Sequence, residues 1–145
     1  MCVDLVRRRS WPLFAADGRF SLDWSQLRVH PLQAADDVFV SASCGGVEVG
    51  RAHLDRRQMS LGAWRGVPDL GPVVRLQLLE VAVDVRGRGV GRAIVRDLWA
   101  RCSQAQLVAV SVPDASGFWE SLGWARCEHR VDGARLPLYV GPLSG

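Results

Sequence analysis

The stretch of this 145-residue chain best equipped for chemistry is Arg86-Gly87-Arg88-Gly89-Val90-Gly91, a turn made almost entirely of glycine and arginine. Glycine admits positive φ and lets a backbone come close to a ligand. A helix starting at the end of such a turn has unpaired N–H groups in its first turn, and its dipole favours an anion there. Arg86, Arg88 and Arg92 add positive charge. The combination suits a phosphate. The nucleotide-triphosphatase loop is excluded, because it requires lysine and the chain has none. A dinucleotide fingerprint counted from Gly87 would need glycine where Arg92 stands. Just upstream, Glu80 interrupts an apolar run. Desolvation there would raise its proton affinity and suit it to general-base work; pairing with an arginine such as Arg75 would simply satisfy it.

The elements that must position these groups follow from hydrophobic patterning. Leu76 to Val85 is apolar and rich in valine, which predicts a strand buried on both faces. After the turn, Val90, Ala93, Ile94, Leu98 and Trp99 mark the apolar face of a helix, with Arg92, Arg96, Asp97 and Arg101 opposite. Val38 to Leu54 predicts a hairpin around Gly45-Gly46. Asp55 to Pro72 predicts a loop broken by glycines and prolines, whose Met59, Leu61 and Trp64 fold back over something apolar. Leu107 to Val112 predicts a strand, and Ala115 to Leu122 a short helix stopped by Gly123. Trp124–Val131 and Arg135–Val140 predict a last hairpin around Asp132-Gly133, with Pro137 marking an edge or a bulge. Met1 to Arg9 holds a weak first strand, and Ser10 to Asp37 lacks helical periodicity.

Arg86-x-x-Gly89-x-Gly91 resembles the R-x-x-G-x-G signature of the GNAT (GCN5-related N-acetyltransferase) superfamily. Leu79-x-Val81 before it resembles that family's fourth strand. Phe118-Trp119-Glu120-Ser121-Leu122-Gly123-Trp124 resembles its F-Y-E-x-L-G-F motif in spacing. The resemblance covers Val73 to Trp124. It implies one α/β domain over residues 1–145, with a central, mixed, mostly antiparallel twisted sheet of about six to seven strands. That sheet would be splayed at the fourth and fifth strands and flanked by helices. It also implies acetyl-CoA as acyl donor, its pyrophosphate on Arg86, Gly87, Arg88, Gly89, Val90, Gly91 and Arg92. The backbone of Val81, Ala82 and Val83 would lie along the pantetheine arm, with a donor at or near Val81 for the oxyanion, and Phe118 and Trp119 would flank its other side. The family's tyrosine acid falls on Trp119, whose indole donates a hydrogen bond but no proton. Tyr139, the only tyrosine, either reaches the cleft or packs, and Ser116 or Ser121 could orient water to the thiolate. Glu80 remains the candidate base, with His53 and His129 weaker; Asp84 suits capping or turn duty.

The implied activity is transfer of acetyl to a primary amine of a small molecule or a protein. The alternative from another class is a non-catalytic acyl-CoA-binding or regulatory module. An apolar content of 48% with 23% charged residues describes a globular domain. No apolar run approaches the roughly 18 residues of a membrane span. The N-terminus lacks the order of a signal peptide. Four dispersed cysteines read as free thiols in a cytoplasmic protein, without metal-site spacing. All basic charge is arginine, and lysine, asparagine and threonine are absent, as in a GC-rich bacterial genome. A net charge of +3 fits a polyanionic cofactor without calling for nucleic acid, and the Arg7-Arg8-Arg9 run reads as a solvated end. A homodimer is compatible with the resemblance.

Overall fold

A computed structural model of the chain describes residues 2–27, 35–102, 104–131 and 135–142. Its strands are β1 (Asp4–Arg8), β2 (Asp37–Cys44), β3 (Val47–Asp55), β4 (Val73–Val81), β5 (Gln106–Val110), β6 (Ala125–Cys127) and β7 (Leu138–Val140). They form one sheet in the order β1-β2-β3-β4-β5-β7-β6. Every neighbouring pair is antiparallel except β4 and β5. A parallel pair needs a crossover, and helix α1 (Val90–Arg101) supplies it. A shorter helix, α2 (Ser116–Ser121), follows β5.

Alternation along the strands divides the core in two. Val40, Leu76, Leu107, Ala109 and Tyr139 face α1 and α2, while Phe39, Val73, Val108 and Leu138 face the other way. The β2–β3 hairpin turns at Gly45 and Gly46, both at positive φ, which two-residue turns of this twist require. Helix α1 buries Val90, Ile94, Val95 and Leu98. Trp99, assigned to the apolar face by periodicity, is 38% exposed and donates its indole N–H to the Pro142 carbonyl; Val95 takes the buried place. The helix lies so close to β3 that a Cβ on Gly50 would come within 2.3 Å of the Ile94 Cδ1.

The opposite face is covered by irregular chain. Leu13, Phe14, Phe20 and Trp24 pack on Phe39 and Ala82, with a 3-10 turn at Trp24–Gln26. Met59, Leu61 and Trp64 of the long loop fold onto the β5–β7 side, as their apolar character predicts. The final hairpin is shorter than its sequence suggests. His129 falls outside β6 and bridges Trp64, and the predicted turn at 132–133 lies outside the described residues. Pro137 marks no edge: β7 lies between β5 and β6, and the proline precedes it, where its missing N–H breaks no ladder bond.

Candidate functional site

The site begins with an irregularity in β4. Leu78 pairs with His53 but Leu76 with Leu54, so Gln77 is an extra residue, a β-bulge. Leu76 faces α1; beyond the bulge the phase is reversed. Leu78 and Glu80 turn to the irregular cover, and Leu79 and Val81 to α1. The backbone alternates too. Ala82 N–H donates to the Val49 carbonyl at 2.9 Å, so Leu78, Glu80 and Ala82 spend their peptide groups on β3. Those of Leu79 and Val81 then point the other way, toward β5.

There they find no strand. β4 and β5 are paired only through Val73–Gln106, Val74–Leu107 and Arg75–Val108, and beyond that they part. The gap is a cleft of about 320 Å³, with Leu79, Val81, Ser111, Val112, Phe118 and Trp119 among its walls. It adjoins a second cleft of about 660 Å³ bordered by Arg86, Gly87, Gly89, Val90, Gly91, Arg92 and Phe118. Val81, Gly91 and Phe118 belong to both. The two form one groove from the split in the sheet to the start of α1.

The glycine turn delivers the backbone its sequence promised. Gly87 and Gly89 sit at φ +76° and +82°, and Gly89 caps α1 without a side chain in the way. The first intrahelical bond is Ala93 N–H to Gly89 C=O, so the N–H groups of Val90, Gly91 and Arg92 have no partner within the helix. Gly91 is held small by its neighbour, since a Cβ there would lie 3.1 Å from the Phe118 ring. The arginines divide their duties. Arg86 turns inward, donating from Nε to the Val81 carbonyl at 3.0 Å and from Nη2 to Glu80 at 3.1 Å. Arg92 donates to the Ser121 carbonyl at 3.1 Å. Arg88 is exposed.

Glu80 is buried and heavily engaged. Ser21 N–H and Oγ donate to one carboxylate oxygen at 2.5 Å each, and Leu22 N–H (3.1 Å) and Trp24 Nε1 (2.8 Å) to the other. Burial pushes its pKa up, but these hydrogen bonds together outweigh burial and leave it below the ordinary carboxylate value. The expectation that desolvation would raise its proton affinity is overturned, and the ion partner is Arg86 rather than Arg75. Glu80 ties the segment around residues 20–24 to the sheet. Neighbouring charges do the same. Arg51, 2% exposed, is stacked against Phe14 and Phe20, bonded to Glu48 and to the Ala15 carbonyl. Arg19 bonds Asp84, which gives that residue a tether to hold as well as a turn.

Of the three consecutive positions expected along a pantetheine arm, only Val81 faces the gap. Ala82 is fully buried, and Val83 N–H is spent on the Arg19 carbonyl because the chain leaves β4 at Val81 for a 3-10 turn at Val83–Val85. Leu79 lines the gap as Val81 does; alternation from Val81 would have found it. Tyr139 is fully buried behind Trp119, its hydroxyl between Glu120 and Arg126 at 3.3 Å each, and it lines neither part of the groove. Ser116 opens α2, half-buried, also off the groove lining, whereas Ser121 and the unforeseen Ser111 line it. Trp119 is 6% exposed, and its indole N–H has no hydrogen-bond partner among the described residues. Trp119 is among the residues that line the groove. His53 donates or accepts at Asp37 (2.9 Å) and stacks on Phe39.

The acetyltransferase (GNAT) domain family matches residues 32–138 of this sequence. The chain belongs to the GNAT family. Solved structures of this fold include an acetyltransferase from Thermus thermophilus, 23% identical with a TM-score of 0.57, the match covering 74% of this chain and 65% of that one. A Bacillus subtilis N-acetyltransferase, YlbP, in complex with coenzyme A is 21% identical at a TM-score of 0.55, covering 72% and 67%. Aminoglycoside N-acetyltransferase AAC(6')-Iy in complex with CoA is 23% identical at 0.55, covering 69% and 67%. Comparison with curated proteins finds none that matches. As a GNAT domain, the chain has the family's mixed sheet split between β4 and β5. No helix among the described residues is long and apolar enough to cross a membrane.

Proposed function

We propose that this GNAT domain is an acetyl-CoA-dependent N-acyltransferase that moves an acetyl group onto a primary amine of a small molecule or a protein. The observation that carries this reading is the parting of β4 from β5, which leaves the peptide groups of Leu79 and Val81 facing a groove that ends at the open N-terminus of α1. The pantetheine arm carries amides that can pair with such an edge as a strand would. The pyrophosphate matches the N–H groups of Val90 to Arg92, with Arg88 free to close on it. Relatives crystallised with CoA support the same coenzyme here.

In the reaction the amine nitrogen attacks the thioester carbonyl. A C–N bond forms, the C–S bond breaks, and the carbonyl oxygen carries negative charge in between. The N–H groups of Leu79 and Val81 are the donors situated to stabilise that oxygen, since the peptide groups that alternate with them are spent on β3. The departing thiolate takes a hydrogen bond from Trp119 Nε1. Glu80 serves as an anchor, and the amine's proton leaves to solvent. The cysteines are all free, which suits a reducing cytoplasm. The buried Tyr139 and the tryptophan at the family's tyrosine position favour one other reading, an acyl-CoA-binding module without turnover.

Calorimetric titration with acetyl-CoA, CoA and ATP tests the coenzyme. Micromolar binding of acetyl-CoA and CoA, lost in Gly89→Glu through bulk and like charge, is the expected result, followed by thiol release on screening amines. No binding of any of the three overturns the proposal. Binding without thiol release from any amine leaves the regulatory module.

A further inference from the structure

The sheet ends on one side at β1, which pairs with β2 and with no other strand among the described residues. A row of its N–H and C=O groups has no strand beside it, and such an edge is a template for another strand. Along β1, Leu5 and Arg7 turn to the α1 side, where both line a cleft beside the end of that helix. Asp4, Val6 and Arg8 alternate with them onto the other face, and all three are exposed. Val6, opposite Ser41, is 53% exposed. The Asp4 carboxylate stands opposite Ser43 and has no hydrogen bond or ion pair among the described residues. Arg8 gives its Nε to the Leu13 carbonyl at 2.9 Å, stands opposite Phe39 and meets no carboxylate among the described residues. Four residues apart on one strand, Asp4 and Arg8 are separated by about 13 Å and cannot satisfy each other.

We propose that two copies of this chain join through their β1 strands, paired antiparallel about a two-fold axis at Val6. A two-fold interface presents the same patch on both sides, so each contact across it occurs twice. With the axis at Val6, Asp4 lies opposite Arg8 of the second copy, and Arg8 opposite its Asp4. The two Val6 side chains meet at the centre. Leu5 faces Arg7 of the second copy, so no like charges stand directly opposite. Opposite charges facing each other across two strands stabilise the pair and like charges oppose it, which selects this register. An axis at Arg7 would set two arginines face to face, and one at Leu5 would leave Asp4 facing Val6. The other edge strand, β6, has Arg126 at its centre and would meet its own like. Charges on an edge ordinarily turn other strands away. On β1 their signs reverse about Val6, and the strand that complements that pattern is a second β1. In the sheet β1 lies three strands from β4, so the pairing leaves the split between β4 and β5 open in both copies.

Sedimentation velocity of the full chain at roughly 5–500 µM, the range of a small and transient interface, should show a monomer–dimer equilibrium. Backbone amides of β1 should exchange with deuterium more slowly as the dimer forms. Asp4→Arg and Arg8→Asp should each weaken dimerisation at least about tenfold, because each sets like charges opposite one another twice per dimer. The double variant Asp4→Arg/Arg8→Asp restores opposite signs and should dimerise like the wild type, a recovery that a misfolded chain cannot show. Ala125→Glu, an exposed position on β6, should leave the dimer unchanged. The proposal falls if the chain is monomeric throughout, if the double variant does not recover, or if the dimer forms without slowing exchange in β1. Loss of the dimer in Ala125→Glu would place the interface on the other edge and overturn it. Species larger than a dimer would also overturn it, since a two-fold pairing closes at two copies.

Discussion

Replacing Glu80 by glutamine keeps size and shape but turns one carboxylate oxygen into an NH2 group. In the orientation least damaging to Ser21, that NH2 faces Leu22 N–H and Trp24 Nε1, two donors with no other acceptor in the contacts described. Each stranded donor costs about 1–3 kcal/mol when water cannot reach it. Trp24 is 1% exposed, so its penalty is close to full, while Leu22 is exposed and its penalty is partly relieved by water. The Arg86 pair adds little, because its guanidinium side chain is 49% exposed. The expected loss is about 2–4 kcal/mol, against total stabilities of about 5–15 kcal/mol for domains in general. At this chain length that lowers the melting temperature by roughly 6–15 °C. Calorimetric melting of wild type, Glu80→Gln and Ser21→Ala measures it, the last removing only one hydroxyl and costing about 1 kcal/mol. A Glu80→Gln protein that melts with the wild type, yet loses acetyl transfer at saturating acceptor across the pH range, would refute the anchor and restore the carboxylate as a base.

Acid stability should follow the same group. Hydrogen bonds hold Glu80 below the ordinary carboxylate value in the folded chain, so its contribution is complete above the unfolded pKa and fades as pH falls through the lower, folded one. Asp37, held down chiefly by its hydrogen bond from Arg57, behaves alike, so unfolding free energy measured from pH 6 to pH 3 should drop less steeply in Glu80→Gln than in the wild type. Gly50→Ala should destabilise by about 1–3 kcal/mol in urea melts, and adding Ile94→Ala should cost less than the sum of the two, because the clash lies at Ile94 Cδ1. Trp119→Phe should spare acetyl-CoA affinity and lower turnover about tenfold if its N–H stabilises the thiolate; unchanged turnover would remove it from the chemistry.

What could be read from sequence tracks how local the physics is. The glycine turn was legible because a backbone at positive φ favours glycine, and Gly87 and Gly89 both sit there. The β2–β3 hairpin was legible for the same reason at Gly45 and Gly46. Glu80 was visible as an anomaly in an apolar strand, but its partners lie nearly sixty residues away in a segment without periodicity, so its pKa direction came out reversed. The resemblance put Val81, Ala82 and Val83 together, whereas a strand offers an open edge every second residue, Leu79 and Val81. Pro137 misled because a proline before an interior strand has the same local signature as one within an edge strand. Trp99 misled because the helix's buried stripe runs through Val95 instead.

The bulge at Gln77 is tolerant of substitution and sets the phase of every residue of β4 beyond it. The Gln77 side chain is exposed, so many residues fit there. Were it taken into the ladder as a regular strand residue, every residue beyond it would slip by one place, carrying Glu80 to the α1 face and stranding a carboxylate in the apolar core. The same slip would turn the peptide groups of Leu79 and Val81 onto β3 and close the groove edge. Relatives that diverge at this strand should therefore do so by exchanging residues while keeping the count between the bulge and the glycine turn.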